Sequence, residues 1–229
     1  MTPASAPVKV RVWDVPVRLF HWLLLGLIGF SWWSGEQGNE WMEYHGWSGY
    51  AILTLILFRI AWGLVGSDPA RFAHFVRSPS ASYAYFRSVL QRRPKAYLGH
   101  NPLGGWMILS LLAVLLVQAV TGLFGNDDDD FEGPLSHWLR HGTSSLVTTV
   151  HAYNFDLLLG LAGLHVAAVL THQLLRRDDM IKAMFTGVKT SETGATAGRM
   201  VSSWRALVLL GLMAALVYAL LWMGGGASR

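Results

Sequence analysis

The sequence predicts an all-α membrane protein, a four-helix transmembrane bundle followed by a fifth transmembrane helix. Three observations carry that prediction. Of the 229 residues, 52% are hydrophobic and only 14% are charged, whereas soluble domains carry about 25% charged residues. The apolar residues gather into five runs, each near the ~20 residues that cross a bilayer as a helix. The chain also has eleven tryptophans, a residue enriched where membrane meets water.

The spans fall at about 17–34, 45–66, 103–124, 147–175 and 204–223. The first follows a short basic segment without a small-residue cleavage pattern, which marks a retained helix and not a signal peptide. The third opens on Asn101-Pro102, a side-chain cap followed by proline at the first helical position. The fourth ends at Arg176-Arg177, and the fifth at Gly224-Gly225-Gly226, where glycine cannot sustain a helix. Residues 1–189 form a four-span domain on this reading, and residues 190–229 supply a linker and the fifth helix.

Charge assigns the sides. Lys9, Arg11 and Arg18 precede or open span one; Arg71, Arg77, Arg87, Arg92, Arg93 and Lys95 lie between spans two and three. Arg176, Arg177, Lys182, Lys189, Arg199 and Arg205 lie between spans four and five, so fifteen of the eighteen basic residues share one side. Glu36, Glu40, Glu43, Asp127–Asp130 and Glu132 fall in the other loops. The positive-inside rule then places the N-terminus in the cytoplasm and the C-terminus outside. The net charge of +4 is a topology signal, not a nucleic-acid surface. With no cysteine, disulfides, iron–sulfur clusters and covalently attached haem are excluded.

Nine histidines are present, and ionisable residues within spans are usually functional. His21 lies in span one, His45 opens span two, and His151, His165 and His172 lie on span four. His74, His100, His137 and His141 fall in loops, where a solvated or interfacial imidazole is the expected role. His151 and His165, fourteen residues apart, sit ~40° apart around a helix and ~21 Å apart along it. Span one continues outward from His21 for about thirteen residues, ~20 Å, to the level where His45 begins the return. The depths match: His45 faces His151 on the outer side, and His21 faces His165 on the inner side. Two pairs of facing imidazoles can each clamp an iron, the arrangement used by haem in helical bundles. His172 shares the face of His165, ~20° away, but its ~31 Å from His151 breaks the depth match. Core histidines hydrogen-bonded between helices are the plainer alternative, against which the two matched pairs weigh.

Several neighbours have paired readings. Arg59 shares the face of His45 at the inner depth. There a guanidinium suits a haem propionate, or it snorkels to the interface. Arg18, one turn before His21, carries the same two readings. Gly49 lets a flat macrocycle approach span two, or serves close helix packing; Gly160 and Gly163 carry the same choice. Asp156, ~140° around the helix from His151, is a proton-relay acid or a partner for a neighbouring helix. The acidic run Asp127–Asp130 is a solvated loop, or a docking surface for a basic redox partner.

The segment around Arg18, Phe20, His21 and Trp22, the HGWSGY at 45–50, the NPLGGWM at 101–107 and the stretch from His151 to His172 resemble the prokaryotic cytochrome b561 superfamily. That superfamily includes the cytochrome b subunits of nickel–iron hydrogenases, and the similarity covers roughly residues 11–189. The resemblance implies a di-haem cytochrome b domain with four ligands: one histidine in each of the first two helices and two, fourteen apart, in the fourth. They fall on His21, His45, His151 and His165, and the family's basic residue after the second ligand falls on Arg59. It implies two non-covalent haem b groups, a membrane quinone and a periplasmic redox protein, either a c-type cytochrome or a hydrogenase-like enzyme, with no nucleic acid. The expected function is electron transfer between quinone and that partner. One branch of the family instead oxidises superoxide with quinone as acceptor, for which Arg140, His137 and His141 would attract the anion. A non-redox membrane anchor or transporter is the third reading.

Overall fold

The computed structural model describes residues 8–91, 93, 97–126, 131–175, 178–191 and 198–225. Arg92, Lys95, the acidic run Asp127–Asp130, Arg176, Arg177, Gly226 and Arg229 lie outside the described residues. The helices are α1 (Val15–Gln37), α2 (Trp41–Val65), α3 (Phe72–Phe75), α4 (Pro79–Leu90), α5 (Pro102–Phe124), α6 (His141–Leu175), α7 (Met180–Thr186) and α8 (Ser203–Met223). Five of them, α1, α2, α5, α6 and α8, are long and apolar enough to cross a membrane. The fold class is therefore the expected all-α membrane protein.

Each long helix has a local reason for where it starts. Asp14 caps α1, accepting the Val17 N–H through Oδ1 at 2.9 Å, while its Oδ2 accepts the indole N–H of Trp62 at 2.9 Å. This moves the start of α1 ahead of residue 17. The reversal into α2 runs through Gly38 (φ 62°) and Asn39 (φ 45°), the two residue types that tolerate left-handed backbone. Asn101 caps α5 as its sequence indicates, accepting from the Gly104 N–H at 2.7 Å. Helix α6 begins at His141, six residues before the expected 147. Its first turns are tied down: the Ser144 hydroxyl donates to the Phe124 carbonyl at 2.7 Å and the Thr148 hydroxyl to the Asn126 carbonyl at 2.9 Å. His141 is thus helical and not in a loop. His137 lies in a short 3-10 turn at 136–138 and His74 in α3.

The chain divides into two compact units: Met1–Leu19, Ala61–Ser110 and Gly163–Ala206 form one, and Phe20–Ile60, Leu111–Ala162 and Leu207–Arg229 form the other. Within the first, β1 (Val8–Arg11) pairs antiparallel with β2 (Val188–Ser191), Val8 opposite Ser191 and Arg11 opposite Val188. No alternating pattern announced this ribbon. Val12, Trp13 and Ala183 form a small core beside it. Gly187, at φ 80°, ends α7 where a side chain would strike Arg18 and the Trp13 carbonyl. Trp13 and Phe75 also enclose His100, with ring centroids 4.4 and 4.8 Å away. His100 is therefore a packed aromatic partner and not a solvated imidazole.

In the second unit Leu53, Leu123, Leu135 and Val217 form the core. Residues 131–135 fold back over the end of α5: Gly133 N–H donates to the Gly125 carbonyl at 2.8 Å and Leu135 N–H to that of Leu123 at 2.9 Å. A Cβ on Gly133 would come within 2.6 Å of the Leu123 carbonyl, so only glycine permits this close return.

Candidate functional site

Within the second unit, α1, α2, α5 and α6 surround a cavity of about 470 Å³, inside the ~300–1,000 Å³ range of small-ligand sites. His45 from α2 and His151 from α6 both face into it, as do Gly49, Tyr50, Phe131 and Asp156. The two imidazole centroids are 6.1 Å apart with ring planes at 73°. Two imidazoles on opposite sides of one ion, with ~2.0–2.1 Å bonds and about 1.1 Å from nitrogen to ring centre, would have centroids ~6.3 Å apart. The observed pair therefore fits one metal centre between its rings.

Hydrogen bonds decide which nitrogen faces that centre. His45 Nδ1 lies 2.8 Å from the Ser31 carbonyl oxygen, which can only accept, so Nδ1 carries the proton. His151 Nδ1 lies 3.1 Å from Thr121 Oγ1. That hydroxyl spends its own proton on the Val117 or Gln118 carbonyl, at 2.8 and 3.0 Å, and so accepts from His151. Both Nε2 atoms are left unprotonated. That is the tautomer a metal ligand needs, and the second nitrogen's hydrogen bond sets it.

A bare ion does not fit the pair. Among the described residues no group of three or more His, Cys, Asp or Glu could hold a metal, so two imidazoles would leave it under-coordinated. A macrocycle bringing its own equatorial donors fits both the pair and the cavity. Gly49 borders that cavity, and a Cβ there would meet nothing within 4 Å.

The other expected site residues lie as follows. His21 is half-buried on α1, in the second unit, its ring 4.9 Å edge-on from Trp22. His165 is half-buried on α6, in the first unit, fourteen residues beyond His151. Arg59 is only 3% exposed, held within the protein. Arg18 donates from Nη1 to the Thr186 carbonyl at 3.2 Å. Its Nε is buried without a hydrogen-bond partner among the described residues. Asp156 borders the same cavity as His151 despite its angular offset, because the space is wide enough to be touched from both flanks of α6.

Two glycines beside the rings carry almost no signal in the sequence. A Cβ on Gly35 would lie 3.0 Å from His45 Nδ1, and one on Gly122 would lie 3.1 Å from His151 Cε1. The only advance signal was a glycine directly after a hydroxyl residue, in Ser34-Gly35 and Thr121-Gly122.

No solved structure matches the chain. It is 28% identical over 210 residues to a probable Ni/Fe-hydrogenase B-type cytochrome subunit of Rhizobium leguminosarum bv. viciae, covering 78% of this chain and 88% of that protein. A protein of the same description from Azotobacter vinelandii is 28% identical over 211 residues, covering 78% and 87% of the two chains. One from Rhodobacter capsulatus is 23% identical over 218 residues, covering 80% and 82%. The family model described as prokaryotic cytochrome b561 matches residues 12–187. The chain therefore belongs to the prokaryotic cytochrome b561 family and is a multi-pass membrane cytochrome of the b type.

Proposed function

We propose that the protein is a di-haem electron carrier of the bacterial inner membrane, passing electrons between a membrane quinone and a periplasmic redox partner. The observation that carries this is the His45–His151 pair, whose rings stand 6.1 Å apart in a cofactor-sized cavity. His45 and His151 hold the outer haem. His21 and His165 hold the inner one, supported by their place on α1 and α6 and by the fourteen-residue spacing to His151. A bound haem b supplies a one-electron ferric/ferrous couple.

The remaining roles belong to the chain's own groups. Arg59, buried on α2 fourteen residues after His45, offers a guanidinium to a propionate. The buried Nε of Arg18 offers a second donor of the same kind. The excess of Lys and Arg in three segments supports a cytoplasmic N-terminus and a periplasmic C-terminus, which puts His45 and His151 on the periplasmic side. The names of the relatives support a nickel–iron hydrogenase as the partner.

The test is to purify the chain in detergent and mix it anaerobically with a short-chain quinol. Full reduction of two b-type haems per chain, together with copurification of hydrogenase subunits from the native membrane, is expected. A single haem, or haems that no quinol reduces, would contradict the proposal.

A further inference from the structure

We propose that Ser31–Gly35 on α1 and Gln118–Gly122 on α5 are two versions of one positioning device, each presenting an oxygen acceptor to the Nδ1 proton of one outer ligand. The proposal rests on the reading of His45 and His151 as axial ligands. The acceptors are the Ser31 carbonyl, which takes the Nδ1 proton of His45 at 2.8 Å, and the Thr121 hydroxyl, whose oxygen lies 3.1 Å from His151 Nδ1. In each segment the hydroxyl at the fourth position donates to the carbonyl of the first, Ser34 to Ser31 at 3.1 Å and Thr121 to Gln118 at 3.0 Å. At the fifth stands the glycine whose missing side chain leaves room for the ring.

Helix geometry explains the spacing. Side chains tilt toward the helix N-terminus, so a Cβ at the fifth position leans over the carbonyl of the first. Glycine there uncovers a lone pair that an ordinary helix hides. On α1 the Ser34 hydroxyl shares the Ser31 carbonyl with the imidazole and limits how strongly it draws on the Nδ1 proton. A stronger pull makes the ring a more basic ligand and favours ferric iron. Helix α5 carries no histidine, yet it holds one of the two rings. Ser48-Gly49 repeats the pattern, with the Ser48 hydroxyl on the His45 carbonyl at 2.8 Å, but there the glycine faces the cavity with no ring seated against it. Ser34, Gly35, Thr121 and Gly122 act through the ligands and are positioning residues.

The test uses the full chain purified with its haems, comparing haem content, redox titration and the low-spin ferric electron paramagnetic resonance signal. Ser34→Ala releases the Ser31 carbonyl to His45 alone. At fixed potential it should raise the ferric-to-ferrous ratio of one haem about three- to tenfold, a fall of up to ~59 mV for a one-electron couple. Gly35→Ala and Gly122→Ala should alter or abolish the signal of that same haem. Gly29→Ala, also on α1 but with open space around its Cβ, should leave both signals as they are. Should the glycine variants fail to accumulate, Ser34→Ala still decides the question through its potential. If His45→Ala removes one haem while Ser34→Ala, Gly35→Ala and Gly122→Ala leave its potential and signal unchanged, the device is refuted and the ligand assignment stands. If His45→Ala retains both haems, the ligand assignment itself falls, and the device with it.

Discussion

Asp14 performs two tasks with two oxygens, and its removal has a calculable cost. Oδ1 caps α1 through the Val17 N–H, and Oδ2 accepts the indole N–H of Trp62, a side chain only 1% exposed. Asp14→Ala loses an N-cap, about 0.5–2 kcal/mol, and strands a buried donor, about 1–3 kcal/mol. Taken together the loss should be about 1.5–5 kcal/mol. Asp14→Asn keeps one acceptor oxygen for two donors and should fall between wild type and Ala. Reversible unfolding in mixed micelles, followed by far-ultraviolet circular dichroism, measures the loss. A cycle with Trp62→Phe isolates the shared hydrogen bond, for which a coupling energy above about 0.5 kcal/mol is expected because the residues touch. Asp14→Ala within ~0.5 kcal/mol of wild type, or additivity in the cycle, would refute the two-oxygen account.

Two further predictions concern the second unit. The imidazole planes of His45 and His151 stand at 73°, so neither ring direction is favoured at the iron between them. The ferric outer haem should therefore give a strongly anisotropic low-spin resonance with one dominant low-field feature; a rhombic three-line spectrum from both haems would contradict that ring geometry. Asn154 on α6 donates to the Val114 carbonyl at 3.0 Å and to Gln118 Oε1 at 2.6 Å on α5. Asn154→Leu should cost about 1–2 kcal/mol, since interhelical hydrogen bonds in membranes are worth about 0.6 kcal/mol each and up to ~1.7, and the same micelle unfolding assay reads it.

What the sequence disclosed follows from the range of the interactions involved. The five long helices were legible because a bilayer demands long apolar runs, and hydropathy is a local property. The meeting of His45 and His151 was legible because helix rise converts residue counts into depth. Features that depend on distant neighbours were not. The ribbon joins two four-residue strands that flank the matched region on either side, each too short to show a period. The start of α6 at His141 depends on Ser144 and Thr148 reaching the end of α5, contacts with no local signature. Asp156 was placed by its angle on an isolated helix, which does not measure the breadth of a cavity. Gly35 and Gly122 were hidden for another reason: their role consists of space given to a ring carried by a different helix. His100 resembled a loop imidazole until Trp13 and Phe75 closed on it.

If His45 and His151 bind the same haem, the haem-to-chain ratio of three purified variants will show it. His45→Ala, His151→Ala and the double variant should each retain about half the haem of the wild type and lose the same spectral component in a reduced-minus-oxidised difference spectrum. A double variant that loses twice as much haem as either single one, or single variants that lose different components, would show that the two histidines serve different haems and would contradict the account.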